Sequence, residues 1–198
     1  MVAQRTLYLV RHGQYDMAVR TPDGGSLTAI GRQQAEYVAK AIKEFPITSI
    51  TASTMVRAIE TGNIIAQATE KPYAVSDLLR EGIPSIPPRF ATELLEMMEN
   101  DPRLTHESIH ADGQRANEAF AHFFVPSTTD EPAHEVLACH GNVIRYLTSK
   151  ALGVTTDTWA KLNINHCSIT IVTVDENGML QLQSYNETGH LPATMKTE

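Results

Sequence analysis

Short apolar runs alternate along the chain with longer stretches in which apolar residues recur every three or four positions. The runs predict buried strands at residues 7–10, 47–52, 73–75 and 135–139. The helical spacing predicts helices over residues 28–45, 55–65 and 143–152, and over 89–125 in two pieces broken around residues 100–102. Pro46 ends the first helix, and Gly153 closes the last one.

The last two apolar runs predict a hairpin. They cover residues 168–174 and 179–185, and Asn177-Gly178 between them is a strong turn signal. Strands that alternate with helices, followed by a hairpin, predict an α/β fold: a three-layer α/β/α sandwich whose mostly parallel central sheet carries a late antiparallel hairpin. We expect residues 1–198 to form a single catalytic domain with a helical cap insertion at about residues 84–125. The outer hairpin strand would leave a sheet edge that could pair between two copies, so a homodimer is a further expectation.

Composition excludes several classes of protein. The net charge is −7 with no block of lysine and arginine, which argues against a nucleic-acid partner. No apolar run is long enough for a bilayer and the N-terminus lacks a signal-peptide pattern, so no membrane partner is expected. Cys139 and Cys167 are too few for a disulfide framework and lack zinc-ligand spacing. Together these features predict a reduced, cytoplasmic enzyme.

Two of the predicted strands end in a histidine followed by a glycine. Arg11, His12 and Gly13 follow the first strand, and His140 and Gly141 follow the strand at residues 135–139. Open α/β sheets bind ligands at the carboxyl ends of their strands. A histidine can attack a phosphoryl group that an arginine holds, and the first turn of the next helix offers free N–H groups to an anion. The alternative is a strand-end histidine beside an exposed arginine.

Arg57 and Glu81 each have two interpretations. Arg57 lies one turn into a helix, where it could pair with Glu60 three residues later or turn toward the same sheet edge as His12. Local sequence slightly favours the pair with Glu60. Glu81 stands beside Gly82 and could be a loop carboxylate without a role or an acid that reaches over the site.

Taken together, these residues resemble the histidine phosphatase superfamily, also called the phosphoglycerate-mutase-like family. The resemblance rests on three motifs, namely Arg11-His12-Gly13, the segment STMVRAIET at residues 53–61, and His140-Gly141. Within the family, the chain is most similar to the mitochondrial branch of Ser/Thr protein phosphatases. That likeness is carried by RAIET at 57–61, LLREG at 78–82, NVIRY at 142–146 and SIT at 168–170.

The resemblance implies a role for each site residue. His12 would be the nucleophile that forms a phosphohistidine. Glu81 would protonate the leaving alkoxide and then deprotonate the water that hydrolyses the intermediate, which requires a raised pKa. The residues implied to hold the phosphoryl group are Arg11, His12, Arg57, His140 and Gly141. The family uses no metal or cofactor, so none is expected.

The chain departs from the mutases of this family. They carry a tyrosine shortly after the motif of Glu81, where this chain has residues 82–84 (GIP), so mutase activity is not expected. Gln14-Tyr15 replaces the Glu-Thr common in small-molecule members. The chain begins almost at its first strand, so we do not expect the anchoring or assembly segments of the mitochondrial branch to carry over.

The leaving group should be recognised by the loops at residues 14–27 and 84–112. Their clearest cations are Arg20, Arg89 and Arg103. By resemblance, the first expected substrate is a phosphoprotein with phosphoserine or phosphothreonine, and the second is a small phosphomonoester.

Two other functions are compatible with parts of the sequence. Cys139 and Arg145 have five residues between them, the spacing of cysteine-dependent phosphatases, although Ala138 stands where those enzymes have a histidine. The other alternative is a module that binds phosphate without turnover, since a fold does not guarantee catalytic activity.

Overall fold

A computed structural model describes residues 3–198. Its centre is one six-stranded sheet with the strand order β3-β2-β4-β1-β5-β6. The strands are β1 (Arg5–Arg11), β2 (Ser49–Ser53), β3 (Tyr73–Ser76), β4 (Ala133–Cys139), β5 (Ile169–Val174) and β6 (Leu180–Glu187). Strands β1 to β4 are mutually parallel, and β5 is antiparallel to both of its neighbours. This is the predicted mostly parallel sheet with a late hairpin.

Five helices cover the two faces of the sheet. They are α1 (Ala29–Ile42), α2 (Val56–Thr69), α3 (Ala91–Asn100), α4 (His106–Phe123) and α5 (Gly141–Ala151), and short 3₁₀ segments lie at Asp77–Leu79, Pro88–Phe90, Thr156–Lys161 and Ala193–Met195. Within β1, Tyr8 and Val10 pack with α1 and α2, whereas Leu7 and Leu9 pack with α4 and α5. Because side chains alternate along a strand, one apolar run thus fills both cores and forms a three-layer α/β/α sandwich.

The pairing of β1 with β4 places the two histidine motifs side by side. The register pairs Arg11 with Cys139, the last residues of the two strands. The N–H of His12 donates to the carbonyl of Cys139 over 3.0 Å. His12 and His140 therefore leave the sheet at one edge, as the strand ends predict.

The hairpin turn forms as predicted, since Gly178 has a φ of +81°, which glycine adopts without strain. It leaves β6 at the edge of the sheet. Self-association through that edge and the division into one catalytic domain with a cap both stay predictions. Among residues 3–198, no helix combines the length and the apolar character that a bilayer crossing requires.

Some boundaries differ from the prediction, and burial along α3 is uneven. α1 ends at Ile42 rather than at residue 45, because tighter backbone bonds close its last turn, including Phe45 N–H to Ile42 O. Along α3, Leu94 is buried while Leu95 is 49% exposed. The reason is that α3 packs mainly on the short 3₁₀ segment before it and contacts the sheet little.

Candidate active site

Two buried histidines form the centre of the site. His12 follows β1 and His140 precedes α5, and their ring centroids lie 5.0 Å apart. Their exposed fractions are 2% and 0%. The same sheet edge also receives the first turn of α2, the loop after β3 and the segment before β5.

The hydrogen bonds of His12 fix the position of its proton. Nδ1 lies 2.8 Å from the carbonyl of Gly13, which can only accept, so Nδ1 carries the hydrogen. Nε2 then offers a lone pair and accepts a hydrogen bond from Nε of Arg57 over 2.9 Å. Burial and the nearby His140 and Arg57 hold the pKa of His12 well below its ordinary value. A neutral imidazole with Nε2 unprotonated is the form that can act as a nucleophile.

Arg57 points into the site and not along its own helix. The residue is 4% exposed, and its guanidinium lies over the ring of Tyr15, with Cζ 4.4 Å from the ring centroid. The local pairing with Glu60 that the sequence slightly favoured is wrong. Glu60 pairs instead with Arg32 on α1, because packing of α1 against α2 brings that cation to it.

Arg11 and the start of α5 form a second basic side of the site. Arg11 donates from Nη1 to the carbonyl of Ile164 over 2.6 Å, while its Nε is buried without a partner among the described residues. A Cβ at Gly141 would lie 3.4 Å from that Nε, an ordinary van der Waals distance, so the start of α5 lies directly against the guanidinium. Burial lowers the pKa of Arg11, although the guanidinium stays charged.

His140 is held by a residue that the sequence did not suggest. Its Nε2 lies 2.8 Å from Oγ of Ser53, the last residue of β2, and its Nδ1 has no partner within residues 3–198. Burial, reinforced by Arg57 and Arg11, holds the pKa of His140 well below its ordinary value. Because β2 pairs with β4, the strand-end argument could have found Ser53 as well.

Glu81 lies on the loop after β3, against the first turn of α5. Its carboxylate accepts hydrogen bonds from the N–H of Gly82 at 3.2 Å and of Asn142 at 3.5 Å. Burial raises the pKa of Glu81, against the opposing charges of Arg57 and Arg11. The shift has the direction that a general acid near neutral pH requires.

Two further side chains that the sequence analysis overlooked approach His12. Tyr15 meets His12 edge-on at 5.1 Å between centroids, and His166 lies 5.5 Å away. His166 lies just before β5, the antiparallel neighbour of β1. Because neighbouring antiparallel strands run in opposite directions, β5 begins at the sheet edge where β1 ends. This rule could have identified His166 from the sequence.

The geometry argues against the cysteine mechanism. Cys139 is fully buried in β4 within the apolar core, and burial raises the pKa of its thiol. Arg145 donates to the carbonyl of Leu162 and to Oδ1 of Asn142 and does not form a cradle around the thiol. Within residues 3–198, no three His, Cys, Asp or Glu side chains cluster as metal ligands.

An apolar groove opens next to Glu81. Its volume is about 320 Å³, and its lining includes Ile83, Phe90, Leu94, Met97, Arg145 and Trp159. The guanidinium of Arg145 lies 5.4 Å from the ring centroid of Trp159. Asn142 lines the groove and also donates to Glu81, so the groove adjoins the candidate acid.

Comparison with protein families decides the relationship. Residues 7–188 match the family described as the histidine phosphatase superfamily, branch 1. The chain belongs to the histidine phosphatase superfamily. It is accordingly a phosphatase-type hydrolase, as the resemblance implied.

Curated relatives cover nearly the whole chain. The mitochondrial serine/threonine-protein phosphatase PGAM5 of Xenopus laevis is 32% identical over 96% of this chain and 68% of its own length. The protein of that name from Drosophila erecta is 35% identical over 98% of this chain and 66% of its own length. This histidine phosphatase chain therefore spans about two thirds of these relatives. The predicted cytoplasmic location is wrong by this comparison, because these relatives are mitochondrial proteins.

Solved structures agree with the fold. A phosphoglycerate mutase of Plasmodium falciparum superposes with a TM-score of 0.65 at 25% identity, covering 96% of each chain. The chain thus has a phosphoglycerate-mutase-like fold.

Proposed function

We propose that this chain hydrolyses phosphomonoesters through a phosphohistidine on His12. The observation that carries the proposal is the state of His12, a buried neutral imidazole whose Nδ1 hydrogen is held by Gly13 and whose Nε2 lone pair faces Arg57. Arg11 and His140 bring two further nitrogens without partners among the described residues. The free N–H of Arg11 can stabilise the charge that develops on phosphoryl oxygens in the transition state, and so can Nδ1 of His140 when Ser53 gives its hydroxyl hydrogen to Nε2 of that ring.

The first step transfers the phosphoryl group. The Nε2 lone pair of His12 forms a bond to phosphorus while the bond from phosphorus to the ester oxygen breaks. The carboxyl group of Glu81 gives its proton to the departing alkoxide, so the leaving group departs as an alcohol. Arg57 would move its Nε–H from His12 to a phosphoryl oxygen.

The second step releases phosphate. The Glu81 carboxylate takes a proton from water as the water oxygen bonds to phosphorus, and the bond from phosphorus to Nε2 breaks. Inorganic phosphate leaves, and Glu81 is again protonated for the next turnover. The raised pKa of Glu81 supports this cycle because the group must exchange a proton near neutral pH.

For the substrate we propose a protein with phosphoserine or phosphothreonine. The curated relatives at 32 to 35% identity are serine/threonine-protein phosphatases, and the apolar groove beside Glu81 suits a side chain next to the phosphorylated residue. Arg20 and Arg89 are exposed and could contact acidic peptide positions, whereas Arg103 is engaged with Asp101 over 2.6 Å. A small phosphomonoester remains the alternative.

The test compares phosphate release from para-nitrophenyl phosphate and from phosphoserine peptides, with EDTA present. We expect His12→Ala to abolish turnover, whereas Cys139→Ser and the surface control His110→Ala should retain it. Loss of activity in Cys139→Ser, with folding intact, would favour the cysteine mechanism. A wild type that binds phosphate without releasing it from any substrate would indicate a recognition module.

A further inference from the structure

A third imidazole lies beside the two histidines of the site. His166 is 4% exposed, and its ring centroid is 5.5 Å from that of His12. Burial, reinforced by the charges of Arg11 and Arg57, lowers the pKa of His166 to about 3. The ring is therefore neutral at working pH and carries one hydrogen, on either Nδ1 or Nε2.

A chain of hydrogen bonds determines which nitrogen carries that hydrogen. The N–H of Gln14 donates to Oε1 of Gln34 over 2.8 Å, which fixes the side-chain amide. Nε2 of Gln34 donates to Oγ1 of Thr197 over 2.9 Å. The hydroxyl hydrogen of Thr197 is then available for Nδ1 of His166, which lies 2.9 Å from Oγ1. When the hydroxyl hydrogen goes to Nδ1, every hydrogen of this chain has an acceptor up to the imidazole, and the hydrogen of His166 lies on Nε2.

The backbone of Thr197 holds the same segment. Its carbonyl accepts from the N–H of His166 at 2.9 Å and from Nδ2 of Asn165 at 3.3 Å. The same backbone lies close enough to the imidazole ring to oppose the lowering of the pKa of His166. Thr197 thus binds the edge of the His166 ring that carries Nδ1.

Nε2 of His166 is buried and has no partner within residues 3–198. Two other nitrogens around His12 share this condition, namely Nε of Arg11 and Nδ1 of His140. Buried polar groups are nearly always hydrogen-bonded, and a phosphoryl group has enough oxygens to satisfy all three.

We propose that His166 is an additional phosphoryl-binding residue, donating from Nε2 to an oxygen of the substrate, and that Thr197 is its positioning residue. This inference rests on the proposed function, since it adds a donor to the same site. It also makes the C-terminal segment part of the active site, because Thr197 holds the ring in the donating tautomer.

The test measures binding of inorganic phosphate by calorimetry and its inhibition constant in turnover, together with the thermal midpoint. His166→Leu fills the same space without a donor, whereas His166→Gln places an amide N–H near the position of Nε2. We expect the leucine variant to lose about tenfold in phosphate affinity, the size of one lost hydrogen bond, with a raised KM and a smaller change in kcat. The glutamine variant should stay within about twofold of the wild type.

A second pair of variants acts through Thr197. Thr197→Val removes the hydroxyl hydrogen at constant shape, and we expect about threefold weaker phosphate binding, while Thr197→Ser should behave as the wild type. Unchanged affinity in a folded His166→Leu would overturn the proposal. If that variant does not fold, unchanged affinity in Thr197→Val overturns it. Phosphate binding without turnover in the wild type would refute the phosphatase proposal alone, and the calorimetric arm would still decide the role of His166.

Discussion

Arg57 donates a hydrogen bond from Nε to Nε2 of His12 across 2.9 Å. The lone pair with which His12 would attack phosphorus therefore accepts a hydrogen bond from a candidate phosphate ligand. The interaction holds the imidazole in a single orientation and keeps a positive charge where the phosphoryl oxygens must lie. Two residues far apart in the sequence are thereby coupled in orientation and in charge.

Removing this guanidinium should mainly affect the transition state. We expect Arg57→Ala to lower kcat/KM by about 10²- to 10³-fold, the usual effect of losing one preorganised donor. Steady-state kinetics on para-nitrophenyl phosphate measures the loss. Arg32→Ala is the matched control, since Arg32 is an exposed arginine that pairs with Glu60 outside the site. Equal kinetics for Arg57→Ala and wild type would contradict the assignment.

Glu81→Gln should separate substrates by the basicity of their leaving groups. A serine alkoxide needs a proton, whereas para-nitrophenolate is a weak base that departs without one. We expect hydrolysis of a phosphoserine peptide to fall by about 10²- to 10⁴-fold, and transfer from para-nitrophenyl phosphate to fall much less. In the wild type the acid form of Glu81 is required, so peptide turnover should decline as pH rises through its raised pKa. Hydrolysis of the phosphohistidine needs Glu81 whichever substrate was used, so the comparison is made on the first, phosphoryl-transfer step. A parallel loss in that step on both substrates would argue against general acid catalysis by Glu81.

Stability should fall on the acid side of neutrality. The pKa values of His12, His140 and His166 are all lowered in the folded protein, so the unfolded chain binds more protons below about pH 6.5. Each such histidine removes about 1.4 kcal/mol of unfolding free energy per pH unit below that value, and His166 does so down to its pKa of about 3. The raised pKa of Glu81 has the opposite sign, favouring the folded state as pH falls toward 4.5.

Urea denaturation between pH 7 and pH 5 measures this dependence. His166→Gln removes one titrating group and should reduce the slope by about 1.4 kcal/mol per pH unit. A slope that is the same in His166→Gln and wild type would show that His166 titrates alike in both states.

Gly13 allows the chain to turn where the backbone of α1 comes close. A Cβ at Gly13 would lie 2.4 Å from the carbonyl oxygen of Gly31. We expect Gly13→Ala to displace the loop, cost about 1–3 kcal/mol of unfolding free energy and remove most activity, because His12 is its neighbour. Thermal unfolding and turnover measure both effects. At Gly189 a Cβ would meet only the end of the exposed Glu187 side chain, so Gly189→Ala should change little.

The sequence by itself determined the alternation of strands and helices and the placement of two histidines at strand ends. These features are local: an apolar run of β1 or β4 must be buried, and parallel strands end at one edge. Ser53 at the end of β2 and His166 before antiparallel β5 lie at the same sheet edge for the same reason.

Only the tertiary structure decided which partner each side chain takes. Arg57 binds His12 because packing of α1 on α2 supplies Arg32 to Glu60, and no local spacing contains that information. Thr197 reaches His166 because the chain end folds back over Gln34. Pairwise spacing fixes neighbours within one helix, whereas burial, pKa and hydrogen-bond partners depend on atoms that the folded chain brings together from remote positions.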